Sequence, residues 1–235
     1  MSRFLRRPQL PENDILALAI GECYLGDFAP TLTDLGLEVI GLSPVAQVDP
    51  RLQGHADLLL LDLGNGEFAA AEGTVLDGRI PVSVRVNITE NECMQNCCLF
   101  GSSWIGSNKY NLKIDAQRQI AVKQRYARCS VCIVDESSII TADQGVAQAA
   151  QAAGLDVLVI RPGHIMLDGF EYGFIGGASF KLAPDKLAFT GSVDSHPDAK
   201  QIRSFLTAHG MQAVSLRDGP MLDIGSAVLI TEKSV

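Results

Sequence analysis

Three stretches of this 235-residue chain repeat one another: Gly-Leu-Glu-Val-Ile-Gly-Leu from Gly36, Gly-Leu-Asp-Val-Leu-Val-Ile from Gly154 and Gly-Met-Gln-Ala-Val-Ser-Leu from Gly210. Each follows a helix-like segment and ends at a Pro or Gly turn. A chain built from copies of one small α/β unit brings equivalent residues of successive copies together in space, so the repeat itself is a guide to where a site lies.

The local signals agree in all three copies. In the second, Ser138–Thr141 reads as a strand, Asp143 is an N-cap for a helix from Gln144 to Ala153, and Gly154 supplies the left-handed C′ position before the strand Val157–Ile160. The third runs from the strand Leu187–Thr190 through a helix Ala199–His209, with Pro197 placed for a first helical turn, to Gly210 and the strand Ala213–Leu216. The first has Leu16–Ile20, a weaker helix over Phe28–Leu35, Gly36 and Val39–Leu42. The spacing leaves room for one or two degenerate copies between Val75 and Glu136.

Composition fits one globular domain over residues 1–235, since 47% of the residues are hydrophobic and a chain of this length buries a large core. Residues 1–12, which carry Arg3, Arg6 and Arg7, read as a solvated, flexible tail. A net charge of −8 argues against nucleic acid as a partner, because binding a phosphate backbone needs a basic face. No apolar run approaches the roughly 20 residues that span a bilayer, and Met1–Leu10 lacks the apolar middle of a signal peptide, so the reading is no membrane partner and a cytoplasmic address. Nothing in the sequence sets an oligomeric state.

Six cysteines raise a metal reading through Cys93-x-x-x-Cys97-Cys98 and Cys129-x-x-Cys132. Cys129–Val134 reads as a strand, where positions three apart face opposite sides, which speaks against the second pair as joint ligands. Reduced thiols, some buried as small apolar groups, are the expectation, with no metal and no cofactor. Cys93 is placed to pair with Cys97 or Cys98 only under oxidation.

The polar signatures at the starts of the following strands carry more information. They are Gly54-His-Ala-Asp57, Gly173-Phe-Ile-Gly-Gly-Ala178 and Met221-Leu-Asp-Ile-Gly225, with a related junction at Lys123–Arg128 leading into Cys129. Superposing these junctions puts His55, Asp57, Cys129, the Gly176-Gly177 pair and Asp223 at comparable positions. In units arranged about an axis they gather near it.

The strand–helix–strand repeats, the Gly-Gly junction followed by Leu182–Gly191, and the Leu-Asp-Ile-Gly junction resemble the pentein fold, the five-bladed α/β propeller of the guanidino-group modifying enzymes. Ala121–Ser130, Ile139–Asp143 and Tyr172–Ser179 are similar to an uncharacterised bacterial family assigned to that fold. The resemblance implies an α/β propeller with internal pseudo-symmetry and a cationic small-molecule substrate. Enzymes of the fold carry a Glu-Gly-Gly-Asp junction, a later His-Leu-Asp junction and a cysteine nucleophile near the C-terminus. Here those positions hold Ile175-Gly-Gly-Ala178 and Met221-Leu-Asp223, and no cysteine follows Cys132. The one His-x-Asp is His55 and Asp57, in the first unit.

Attack on a guanidinium carbon needs a thiolate, a proton donor for the leaving amine, and carboxylates that hold the planar cation. Cys129, partly exposed beside Arg128 or Lys123, is the candidate nucleophile. His55 is the candidate acid/base, with His164 as substitute, and Asp57, Asp168 and Asp223 are candidates to bind the substrate. Gly176 and Gly177 are expected to let a ligand approach the backbone. Each residue also has a plainer role: Cys129 filling a core, His55 capping a turn, Asp223 accepting backbone amides. The functional alternatives are a guanidino-compound hydrolase or amidinotransferase, a non-catalytic binding scaffold, and a Cys-ligated metal protein.

Overall fold

The computed structural model describes residues 1–76, 78–86, 97–107 and 116–234. Cys93, and with it any pairing or metal role of the Cys93/Cys97/Cys98 cluster, lies outside them.

The secondary structure follows the sequence signals closely. In chain order the first elements are β1 (Ser2–Phe4), β2 (Ile15–Gly21), α1 (Leu25–Asp34) and β3 (Glu38–Leu42), then α2 (Ala56–Leu59), β4 (Leu60–Gly64), β5 (Glu67–Ala71) and β6 (Val82–Val86). There follow β7 (Cys98–Phe100), β8 (Ser103–Gly106), β9 (Arg118–Ala121), α3 (Ala127–Ser130), β10 (Cys132–Ile133), β11 (Ser138–Thr141), α4 (Gln144–Ala152) and β12 (Asp156–Val159). The last are β13 (Ser179–Ala183), β14 (Lys186–Phe189), α5 (Ala199–Ala208), β15 (Gln212–Ser215) and β16 (Val228–Lys233). The Asp143 side chain accepts the Val146 N–H at 2.8 Å and so caps α4. Gly36, Gly154 and Gly210 have φ of +86°, +86° and +67°, the left-handed geometry that ends α1, α4 and α5 and turns the chain into the next strand.

Among the described residues the strands form five small sheets with one recurring order. An antiparallel pair comes first, and a third strand joins parallel to the second: β16-β2-β3, β4-β5-β6, β7-β8-β9, β10-β11-β12 and β13-β14-β15. The strands anticipated near Val39, Val157 and Ala213 are the parallel third strands β3, β12 and β15. Of the two remaining sheets, β7–β9 falls between Val75 and Glu136 as expected, whereas β4–β6 begins at Leu60, ahead of that interval and in the stretch that reads as the end of the first copy.

Each sheet contacts the next, and the fifth contacts the first, which closes a ring of blades. The apolar core is divided accordingly. Phe68 and Leu59 pack with Ala17 and Ala19 between the first two blades, and Phe180 with Leu18 and Ile20 between the last and the first. Phe189 packs with Cys132 and Ile140, and Phe100 with Val131 and Ile139, at two further interfaces. Burial of this kind contributes about 1.5–3 kcal/mol per large apolar side chain.

Two expectations need correction. Residues 1–12 are not a loose tail: β1 pairs with β16, and Leu5, Pro8, Gln9 and Leu10 are buried. The buried Glu232 draws this segment down, accepting from Arg3 Nε at 3.0 Å and from the backbone N–H groups of Glu12 and Asn13 at 2.6 and 2.9 Å. Arg7 meets Glu136 at 2.8 Å. Likewise, Cys129–Val134 is not one strand, because residues 127–130 form the helical turn α3 before β10 begins.

Candidate active site

The junction segments that precede the first strands of the blades converge because their backbones bond to one another. The Asp57 N–H donates to the Gly225 carbonyl at 3.1 Å and the Gly177 N–H to the Cys129 carbonyl at 2.9 Å. The Gly177 carbonyl in turn accepts from Ile224 and Ser226 at 3.1 and 2.8 Å. Four blades are thereby joined at one point, and their side chains share a cavity of about 260 Å³ whose walls include His55, Cys129 and Asp223.

Cys129 sits on α3, whose short turn aims its side chain at the cavity, while Cys132, three residues on, packs into the core between blades. The Cys129 thiol donates to Asp57 Oδ2 at 2.7 Å, and Asp57 is carried on α2 immediately after His55 and Ala56. Asp223 accepts the Phe174 N–H at 2.9 Å and the Gly225 N–H at 3.0 Å, which fixes its carboxylate against the floor. One nitrogen of His55, one oxygen of Asp223 and the Cys129 sulfur all lie within 4.8 Å of one another, so these three residues could hold a metal ion.

Burial governs the protonation states. His55 is 1% exposed, and desolvation pushes its pKa down to about 4, so the ring is neutral around pH 7. Its Nδ1 lies 3.9 Å from Asp223 Oδ1, a contact that is not an ion pair while the ring is uncharged. Burial raises Asp223 to about 7 against the pull of its backbone donors, and the nearby charge of Asp57 adds to the rise. His55 Nε2 is buried without a hydrogen-bond partner, which leaves it available to whatever occupies the cavity.

The structure thus brings His55, Asp57, Cys129 and Asp223 together and sets other candidates apart. Asp168 is exposed and does not line the cavity. His164 is also exposed and stacks edge-on with His196, ring centres 5.3 Å apart. Gly176 and Gly177 are small for the sake of the protein, not a ligand. A Cβ at Gly177 would lie 1.8 Å from Asp223 Oδ1, and one at Gly176 would lie 2.4 Å from the carbonyl oxygens of Arg128 and Val131. Nor is Cys129 partly exposed: it is 2% exposed and reached only through the cavity. The Arg128 guanidinium donates to the carbonyls of Val131 and Gly176 and to Ser226 Oγ.

The upper walls escaped the junction argument altogether. Leu52, Tyr126, Leu167, Phe170, Tyr172 and Phe174 form them, with Glu171 at the rim. Their signal was present in the alternation of aromatic residues over Phe170–Phe174, immediately before the Gly-Gly pair.

Solved structures share this architecture. An SxtG amidinotransferase from Microseira wollei in the saxitoxin biosynthetic pathway superposes with a TM-score of 0.58 at 10% identity, over 90% of this chain and 91% of that one. The inosamine-phosphate amidinotransferase StrB1 from Streptomyces griseus gives 0.57 at 10% identity, over 99% and 98%. The agmatine deiminase of C. jejuni gives 0.52 at 9% identity, over 92% and 90%. At such identities the likeness carries the fold, and with the five-sheet ring it defines a pentein. The chain belongs to the family described as a family of unknown function (DUF6873), whose model matches residues 26–228. No curated protein matches the sequence. Among the described residues no helix is long and apolar enough to cross a membrane.

Proposed function

We propose that this cavity modifies a small guanidino compound through covalent catalysis by Cys129, as a hydrolase or an amidinotransferase of the cytoplasm. The observation that carries the reading is the meeting of a thiol, an imidazole and the Asp223 carboxylate in one cavity, with a second carboxylate, Asp57, bonded to the thiol from outside the cavity lining. The named relatives of the same fold are amidinotransferases and a deiminase, which supports the same class of chemistry.

In this reading Asp223 holds the planar cation through paired N–H···O bonds, and Asp57 adds its negative charge from behind the thiol. The substrate's positive charge favours the thiolate, and the thiol proton leaves through Asp57, its hydrogen-bond partner, to His55. The sulfur attacks the guanidinium carbon, forming a C–S bond, and His55 returns the proton to the departing nitrogen as its C–N bond breaks. Ammonia or an amine leaves, and an amidino group remains on sulfur. His55, neutral again, then removes a proton from water or from an acceptor amine. That nucleophile adds to the same carbon, and the C–S bond breaks to release a ureido product or a new guanidine and restore the thiolate.

The test is alkylation by 2-chloroacetamidine, read by mass spectrometry on native protein, with iodoacetamide as a neutral control. Cys129 is expected to react with a strong preference for the amidine, and the preference to fall in Asp57→Asn. Turnover of any substrate found should vanish in Cys129→Ser and fall about 100-fold or more in His55→Ala. Cys97, Cys98 and Cys132 are raised by burial to about 11, 12 and 11 and should stay unmodified, while the exposed Cys23 should show no preference for the amidine. A Cys129 that stays inert until the protein unfolds removes covalent catalysis and leaves a binding scaffold. The juxtaposition of His55, Cys129 and Asp223 favours one further reading, a thiolate-ligated metal; stoichiometric zinc in purified protein, lost in Cys129→Ser, would establish it.

A further inference from the structure

The floor of the cavity and its walls make opposite demands on a ligand. The floor offers the Asp223 carboxylate to a cation, whereas the walls are Leu52, Tyr126, Leu167, Phe170, Tyr172 and Phe174. Phe170 and Tyr172 are each 37% exposed, and Tyr172 meets the Phe174 ring edge-on at 6.4 Å. These rings form an exposed aromatic rim above a buried polar floor. Exposed aromatic clusters of this kind commonly mark places where a partner group lands.

The distribution of charge around the mouth narrows the ligand further. Among the described residues, the cavity lining contains no lysine or arginine, and its one rim charge is Glu171. Two arginines close to the site already have partners. Arg51 lies over the outside of the Phe170 ring, 4.1 Å from its centre, and its guanidinium bonds to Asp49 at 2.7 and 3.0 Å and to the Gly169 carbonyl at 3.2 Å. Arg128 is turned to backbone carbonyls and to Ser226. A carboxylate or phosphate on the ligand's tail would therefore leave water without a cation to receive it and would face Glu171, which is costly.

We infer that the substrate is a guanidine carrying an apolar, alkyl or aromatic tail with no anionic group. The inference rests on the guanidino reading above and adds the part of the molecule that reading leaves open. The volume is consistent with it: an apolar cavity of about 150 Å³ holds a benzene molecule, and the 260 Å³ here adds room for the head group. The tail packs on Phe170, which Arg51 covers, and on Tyr172, while the cation reaches Asp223.

The experiment is protection of Cys129 from 2-chloroacetamidine by four ligands of similar length: 3-phenylpropylguanidine, agmatine, 4-guanidinobutyrate and 3-phenylpropylurea. The first should protect at a concentration at least about tenfold below that of 4-guanidinobutyrate, with agmatine between them. Tyr172→Ala should reduce that ratio toward one. Glu171→Lys should improve protection by 4-guanidinobutyrate about tenfold and leave that by 3-phenylpropylguanidine unchanged. If the anionic ligand or agmatine protects as well as or better than the phenyl compound, the substrate class is overturned and the guanidino reading stands. If the urea protects as well as its guanidine, the head-group reading fails and the apolar preference stands. If none protects, both fall.

Discussion

Asp223 and Asp62 are two buried carboxylates that burial raises to about 7 and that each accept backbone N–H groups, yet only one of them has anything to act on. Asp62, on β4, accepts from Gly64 at 2.8 Å and more weakly from Gln9 at 3.4 Å, and borders a void of about 10 Å³ shared with Asp57, Leu99 and Arg128. That space is scarcely enough for one water molecule. Asp223 borders a cavity some twenty-five times larger, beside an imidazole and a thiol. A perturbed carboxylate marks a site only when space and reactive neighbours accompany it. The two residues therefore serve as internal controls for each other.

The sharpest way to break the comparison is by rate. Asp223→Asn keeps an oxygen for the backbone donors but removes a charge from the guanidinium, and a charged hydrogen bond contributes about 1.5–3 kcal/mol. We expect amidine labelling of Cys129 to slow about 10- to 100-fold relative to iodoacetamide, and Asp62→Asn to change that ratio less than twofold. Equal effects of the two substitutions would mean that both act through the fold.

A pH profile gives a finer separation. The ratio of amidine to iodoacetamide rates cancels the ionisation of the thiol itself. It should rise with pH around 7 as Asp223 becomes charged, lose that inflexion in Asp223→Asn, and keep it in Asp62→Asn. An inflexion that instead disappears in Asp62→Asn would assign the titration to the wrong side of the ring.

Stability gives the smallest signal. Each aspartate has a folded pKa above its ordinary 3.8, so its favourable contribution is complete below that value and is lost as pH rises through about 7. The neutral, buried His55 works the other way, and its contribution is lost as pH falls from 6.5 through about 4. Replacing Asp62 by Asn should raise Tm by a few degrees at pH 8.5 and give no gain at pH 5, since the asparagine carries no charge to bury. A gain at both values would point to packing instead of ionisation. Thermal melts at the two pH values suffice.

What the sequence disclosed follows from where its signals were local. Three of the five blades were legible because Gly36, Gly154 and Gly210 end a helix and start a strand with the same few residues. The blades over β4–β6 and β7–β9 carry no matching Gly-to-strand segment in the sequence. The convergence of His55, Asp57, Cys129 and Asp223 was readable from matching junctions, because equivalent places in a ring face one centre. Asp168 was misjudged for want of a depth signal: a carboxylate between Leu167 and Gly169 looks the same in sequence whether it turns inward or toward water. The Gly-Gly pair reads as letting a ligand approach, but the groups pressed against it are the protein's own, Asp223 at Gly177 and the Arg128 and Val131 carbonyls at Gly176. The length of β1 gave too weak a pattern to show that it pairs with β16.

That pairing has a consequence for how the molecule comes into being. β2 lies between β3, its near neighbour in sequence, and β16, which is synthesised only after all the other blades. During synthesis β2 therefore presents an open edge, and apolar strand edges invite pairing with other chains. Closing so long a loop is slow, and the segment that closes it carries Asp223 just ahead of β16. The thiol and imidazole are synthesised early, but the Gly225 carbonyl that receives the Asp57 N–H and the Asp223 carboxylate of the floor arrive with the final strand, so a nascent chain acquires its reactive centre only when the ring is shut.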